Sequence, residues 1–428
     1  MAHTTVALLG TCDTKLEELL YLRSEILRSQ NLRVILIDVG NKSCEHSAIN
    51  ISHGDLISRY STSAEAGFTK KPEDNTRADM VRLISTCASS CVRELFHSSS
   101  ISGIISIGGS SGTSLVATVM RDSLPIGFPK LIVSTMASGD ISTFVGETDI
   151  SMMYSVVDIA GSNSILHKIL SNAAGAITGM SLSYQAHKEG NNTGVKEKKK
   201  VRVGVTMFGV TTPCVDEIRR HLEAHHGYEV YVFHATGAGG RAMERLVREN
   251  LLDAILDLTT SEIPDEIVGG VLTAGPNRLE AAAKAGIPQV VSVGACDMVN
   301  FGPRGSLPQR FAHRNIYEHN PSVTLVRTSE DECRKIGAFI SEKLRENVKS
   351  PQLVQVWLPT GGISMIESPG GPYHDSAADE ALFTAIEKGL EESGIGVKRD
   401  QRYINDPSFA VDIAEQLVEF VKRSEGRQ

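Results

Sequence analysis

The stretch IGGSSGTS, Ile107 to Ser114, sets glycines that let a backbone approach a ligand beside hydroxyls that donate hydrogen bonds, just ahead of the helical run SLVATVM. Because a helix N-terminus favours an anion, Gly108, Gly109, Ser110, Ser111, Gly112 and Thr113 have the chemistry of a phosphate cradle. The spacing is not that of a Walker loop, and a tight strand-to-helix turn capped by Ser or Thr accounts for the same residues without a ligand. GTCDTK offers Gly10, Thr11, Asp13, Thr14 and Lys15 at a second such turn. Lys15 suits a phosphate as a point charge; Asp13 would repel one, so it is either a helix cap or a ligand acting through Mg2+, directly or through water. STMASGD adds Ser134, Ser138 and Gly139 at the end of a third strand. Three such turns at one sheet edge are more specific than any one alone.

The second half carries a different set. FHATGAGGRAME puts His234 at a strand end, then three glycines, then Arg241 at a helix start, where a guanidinium can grip a carboxylate or phosphate in bidentate fashion. LTTSEIPD and GACDMVNFG bring Glu262 and Asp297 to the ends of the next two strands, with Thr259, Thr260 and Asn300 beside them. His234, Arg241, Glu262 and Asp297 could bind a polar ligand or perform general acid/base catalysis. No Ser/His/Asp order and no metal-ligand spacing selects a reaction, and for His234 alone a hydrogen-bonded core histidine is the competing account.

These turns need elements to carry them, and the chain supplies the same order of elements twice. VTMFGVTTPCVDEI, from Val205, echoes VALLGTCDTKLEEL, from Val6: each is an apolar run that breaks at glycine, passes Thr and Cys, and opens an amphipathic helix. Short β-branched runs alternating with helical patterns predict parallel βαβ units covered on both faces. The expected fold is α/β: two doubly wound, Rossmann-like parallel-sheet domains facing each other across a cleft, with ligands beyond the carboxyl ends of the strands. Residues 1–185 form the first domain, the polar, Gly- and Lys-containing 186–200 a linker, and 201–428 the second domain. LVQVWLP, the Gly/Pro loop from Gly361 to Pro372 and two helices close that second domain.

Composition narrows the class. With 428 residues, 41% hydrophobic and 22% charged, the chain can bury sizeable cores. A formal charge of -8 argues against a broad nucleic-acid footprint, and no apolar run reaches membrane length. Seven scattered cysteines read as reduced thiols of a cytoplasmic protein rather than as a disulfide framework.

GVTMFGVTTPCV, VFHATGAGGRAME and DMVNFGP, together with GTCDTK, IGGSSGTS and SVVDIAG, are similar to the N-terminal ATP-binding domain family of the tomato mosaic virus resistance protein, over nearly the whole chain. The resemblance implies a two-domain α/β module that binds ATP with Mg2+ and forms a homodimer. It places the nucleotide on Gly10, Thr11, Asp13, Thr14 and Lys15 and on Gly108 to Thr113. In the tomato protein the module binds a viral replication protein and inhibits viral RNA replication; the resemblance carries over the nucleotide site and not that activity. A barrel-like domain follows in the tomato protein, so the reading expects a separate partner, or none, to supply that part here. Two alternatives stay open: an enzyme acting on a small carboxylate or phosphate in the cleft, and an interaction module that nucleotide only stabilises.

Overall fold

A computed structural model describes residues 4–29, 31–61, 77–190 and 200–426. The chain divides into two compact units, Met1–Lys196 and Glu197–Gln428.

In the first unit the strands are β1 (Thr4–Gly10), β2 (Leu32–Asp38), β3 (Gly103–Gly108), β4 (Lys130–Ser134) and β5 (Ser151–Tyr154). The helices are α1 (Cys12–Leu27), α2 (His53–Tyr60), α3 (Arg77–His97), α4 (Ser110–Ser123), α5 (Ser142–Val145) and α6 (Ser164–Gly190). All strands run parallel in the order β2-β1-β3-β4-β5. The period-two alternation of a strand sends Ala7 and Leu9 to the face covered by α2, α3 and α4, and Val6 and Leu8 to the face covered by α1 and α6. Burying each such aliphatic side chain stabilises the unit by roughly 1.5–3 kcal/mol, which is what holds the sheet between two helical layers.

The second unit contains β6 (Arg202–Met207), β7 (Glu229–His234), β8 (Ala254–Thr259), β9 (Gln289–Gly294), β10 (Met298–Phe301), β11 (Ile316–Asn320), β12 (Val323–Arg327), β13 (Val354–Pro359) and β14 (Gly396–Asp400). Its helices are α7 (Thr212–His226), α8 (Ala238–Arg248), α9 (Glu262–Val268), α10 (Glu280–Ala285), α11 (Glu330–Asn347), α12 (Ser376–Leu390) and α13 (Pro407–Glu425). Six strands form a parallel sheet in the order β14-β13-β9-β8-β6-β7. Val203, Val205, Leu256 and Leu258 pack under α7 and α13; Val291, Val293, Val356 and Leu358 pack under α11 and α12.

Both units are therefore doubly wound α/β folds, and both reverse strand order beside their first strand. The chain leaves β1 for β2 on one side and returns to β3 on the other; β6, β7 and β8 repeat the move. Such a reversal opens a crevice at the carboxyl ends of the two central strands.

Three features depart from the sequence reading. The antiparallel sheet β10-β12-β11 interrupts the second unit, and β5 and β14 add edge strands. α6 continues through residues 186–190, expected as linker, because its end is tied down: Tyr184 meets Phe128 edge-on at 5.2 Å and Lys188 reaches the Ser99 hydroxyl at 2.8 Å. Of the rest of that expected linker, residues 191–199 lie outside the described residues.

Candidate functional site

At the first crevice the turn after β1 is built around carboxylates. Asp38, the last residue of β2 and fully buried, accepts from the Cys12 amide at 3.1 Å and the Gly40 amide at 2.9 Å, both through Oδ1. Asp13 accepts from the amides of Asn41 and Lys42 through Oδ2, at 3.1 and 3.2 Å. Asp13 Oδ1 and Asp38 Oδ2 are buried and have no hydrogen-bond partner among the described residues. The two groups crowd the same stretch of backbone: a Cβ on Gly40 would lie 2.6 Å from Asp13 Oδ1 and 3.0 Å from Asp38 Oδ1. Buried carboxylate oxygens left unpaired cost free energy, so this pair is a place where a cation or ordered water is stabilising. The neighbouring Cys12 thiol is pushed up by burial and then by Asp38, which keeps it protonated.

Asp13 is not the helix cap that one reading of the sequence allows. It sits inside α1 and fastens the 41–42 loop, while Thr11 at the N-cap pairs with Thr14 at 3.0 Å. Lys15 donates to the Ile159 carbonyl and has a non-helical backbone conformation within α1. Gly10 has a packing reason to be glycine, since a Cβ there would lie 2.4 Å from the Leu19 side chain.

The turn into α4 separates glycines that the fold requires from glycines that it does not. A Cβ on Gly108 would lie 3.1 Å from the Thr113 amide, so packing of the helix onto the strand accounts for it. Among the described residues the atom nearest a Cβ on Gly109, the N-cap, would be Thr135 Oγ1 at 3.8 Å, and on Gly112 nothing lies within 4 Å; φ at Gly109 is -81°. Neither position, among the described residues, needs glycine for space or backbone strain, yet both keep side-chain bulk off the first turn of α4. No side chain among the described residues caps that turn, and Ser110 and Ser111 are exposed on it. Thr113 and Ser134 are fully buried and share a 2.6 Å hydrogen bond, so they brace the turn from behind. Ser138 and Gly139 are exposed beyond β4.

The corresponding crevice of the second unit is filled. Thr211, in the turn after β6, and Thr259, the last residue of β8, are fully buried and share a 2.8 Å hydrogen bond, and Thr206 donates to Asp257 at 2.8 Å. Glu262 is 1% exposed and committed: Oε1 accepts from the amides of Gly237 and Gly240, and Oε2 from Arg278 Nε at 2.7 Å. Arg278 also grips Asp257 in bidentate fashion at 2.6 and 2.7 Å and approaches Glu244 at 3.4 Å. Burial pushes the Glu244 carboxyl up, and Glu244 in turn accepts from the amides of Leu279 and Ala281. This buried cluster pins the glycine turn to β8, and it explains why FHATGAGGRAME is glycine-rich: a Cβ on Gly240 would fall 2.0 Å from Glu262 Oε2. His234 is exposed and stacked on Phe208 at 5.6 Å, and Arg241 donates to the Thr273 carbonyl at 3.0 Å. Asp297 belongs to another network: it is fully buried, accepts from Ser364 at 2.7 Å, and burial raises its pKa to about 6 against the pull of Arg327.

Sequence reasoning missed several ionisable groups. Asp38 had one signal, a carboxylate closing the apolar run LRVILID. Arg278 had none, being a lone basic residue in a polar loop. Near Asp297, a pocket of about 360 Å3 at the end of β13 is lined by Gly361, Gly362, Glu367, His374 and Asp379. Burial, and then the neighbouring Asp379, push the Glu367 carboxyl well up. A larger hollow of about 640 Å3 lies at the amino ends of the strands, next to Arg202, Asp253 and Pro288, the wrong edge for strand-end chemistry.

The Uncharacterised protein family (UPF0261) N-terminal domain matches residues 4–186, and the C-terminal domain of the same family matches residues 200–421. A "UPF0261 protein" of Clostridium tetani is 43% identical over 98% of this chain and 99% of its own length. The tomato (Solanum lycopersicum) "ToMV resistance protein Tm-1(GCR237)" is 38% identical over 97% of this chain, which spans 56% of that protein. Among solved structures, a UDP-N-acetylglucosamine 2-epimerase is 12% identical with a TM-score of 0.19, covering 68% of this chain and 79% of that one, too slight a likeness to carry an argument.

Proposed function

The chain belongs to the UPF0261 family, both of whose domains it contains, and on that premise we propose that its first unit binds ATP with Mg2+ at the β1/β3 crevice. The observation that carries this reading is the first turn of α4, opened by Gly109 and Gly112 at the strand-order reversal, in the same unit as two carboxylates with buried oxygens that have no hydrogen-bond partner among the described residues. Phosphate oxygens would accept from the first amides of α4 and from the Ser110 hydroxyl, and Ser111 would have to exchange the interaction it already makes for one with phosphate. Asp13, with Asp38 behind it, would hold the cation through water, since carboxylate oxygens are the ligands that Mg2+ prefers. The cation would neutralise phosphate charge that the two acids would otherwise repel. Lys15 would have to exchange its Ile159 carbonyl for a phosphate; Thr11, Thr14, Ser138 and Gly139 would form the outer wall.

The same proposal covers a cytoplasmic homodimer with protein partners and without nucleic acid. Among the described residues no helix is long and apolar enough to cross a membrane. Antiviral action, named for the tomato relative, is not carried over. Calorimetry on the full chain tests the reading. Mg·ATP should bind in the micromolar range, equivalent to roughly 8 kcal/mol, and Asp13→Asn should abolish the dependence on Mg2+. Equal binding of adenosine and Mg·ATP, or none of either, would contradict it.

A second reading, an enzyme acting on a small carboxylate or phosphate, is favoured by the Glu367 carboxyl, raised by burial, beside His374 in its pocket. Turnover of a candidate metabolite that Glu367→Gln eliminates, with ATP affinity intact, would support it.

A further inference from the structure

Away from both crevices, three metal-ligand side chains converge where α7 packs on α13. His221 and His226 direct Nε2 at one oxygen, Oε1 of Glu415, at 2.6 and 2.7 Å. Among the described residues this is the only group of three or more His, Cys, Asp or Glu whose ligand atoms gather this closely, all within 4.8 Å of one another. We propose that His221, His226 and Glu415 bind a divalent transition metal, with zinc the ion best suited.

The convergence is not what a helix gives by default. Five residues along a regular helix place two side chains about 140° apart around the axis. His226 escapes that constraint as the last residue of α7, before Gly227 turns left-handed at φ 67°, with Tyr228 set 5.6 Å from its ring. Glu415 lies between the two imidazoles from the other helix. The backbones are fixed from below by Ile218, Leu222, Ile413 and Leu417 in one apolar cluster. The imidazoles are 13% and 17% exposed and Glu415 is 44% exposed, so the ligands are held while one side stays open to water.

The donor set selects the metal. Two neutral imidazole nitrogens and one carboxylate oxygen, with a fourth position for water, match zinc rather than Mg2+ or Ca2+, which prefer oxygen. Zinc bonds of about 2.0–2.2 Å in a tetrahedron put ligand atoms about 3.4 Å apart, so each ring need retreat by less than an ångström from its hydrogen bond. His225, whose ring is 4.8 Å from that of His221, is the nearest further imidazole. Bound metal would cross-link α7 to α13 and stabilise the second unit, independently of any nucleotide in the first.

The test uses the full chain, stripped with a chelator and desalted. Competition against a chromogenic chelator should show a single equivalent of Zn2+ held at micromolar affinity or tighter, undisturbed by excess Mg2+. Co2+ should give the visible bands of a four-coordinate site, and Zn2+ should raise the melting temperature. Glu415→Gln, which keeps size and shape, and His221→Ala should each weaken Zn2+ roughly tenfold or more, and the two together should abolish binding. Zinc held equally well by the double variant, or released by blocking the cysteine thiols instead, would overturn the proposal; so would a parent chain that binds no equivalent at micromolar zinc.

Discussion

The β1/β3 and β6/β8 crevices arise from the same strand order and are furnished in opposite ways. At the first, among the described residues, Gly109 and Gly112 keep side-chain bulk off a helix turn and two carboxylates keep oxygens without a hydrogen-bond partner. At the second, Thr211 and Thr259 close on each other and Arg278 draws three carboxylates into a buried cluster. Topology makes a crevice in both units, but side chains decide whether it is space for a ligand or part of the core. A glycine-rich turn marks each, for different reasons: in the second unit Gly237 and Gly240 make room for Glu262 and neighbouring backbone, whereas among the described residues nothing would come closer than 3.8 Å to a Cβ on Gly109.

The contrast can be broken at either end. Arg278→Met should have the largest effect, because it strands Asp257, Glu262 and Glu244 in the core; about 3–5 kcal/mol of stability should go, read as a lower denaturation midpoint. Mg·ATP affinity at low temperature should survive, and its loss would mean that the two crevices are not separate in function. Next is Gly109→Val, whose branched side chain would enter the bare turn. Losing about 3 kcal/mol of phosphate contacts should weaken Mg·ATP roughly a hundredfold, while the ligand-free melting temperature changes little. Unaltered affinity would make this turn an ordinary connection.

Asp297 offers a pH test of how dry the second unit is. With its pKa raised to about 6, the folded chain keeps a proton that the unfolded chain releases near pH 4. Its contribution to stability is complete below about pH 4 and is lost as pH rises through about 6. Relative to Asp297→Asn, the parent should therefore lose on the order of 2–3 kcal/mol between about pH 4 and pH 7. A pH-independent difference between the two proteins would show that Asp297 ionises normally. Thr259→Val should matter least: about 1 kcal/mol of stability for one buried hydrogen bond, and no change in Mg·ATP binding. A tenfold loss of affinity there would move the nucleotide to the second crevice.

The apolar runs and their glycine breaks made both parallel sheets legible in the sequence, since strands buried on two faces read as continuous β-branched stretches. β10, β11 and β12 were not legible, because MVNF, IYEHN and VTLVR are short and mix polar with apolar residues beside Pro and Gly. IGGSSGTS was found from local chemistry, but sequence could not tell Gly108, needed for packing, from Gly109, which is not. Glu262 looked catalytic for the reason that it is structural: an acid beside a glycine turn is also what fastens the turn, and only Arg278, 16 residues on, reveals which. The His221/His226/Glu415 group stayed hidden because its third member lies 194 residues from the first.

Amide hydrogen exchange with and without Mg·ATP tests the difference between the crevices most directly. Nucleotide should slow exchange in residues 10–15 and 108–113 and leave 207–212 and 259–262 unchanged. Protection confined to the second pair of segments, or to neither pair, would contradict the account.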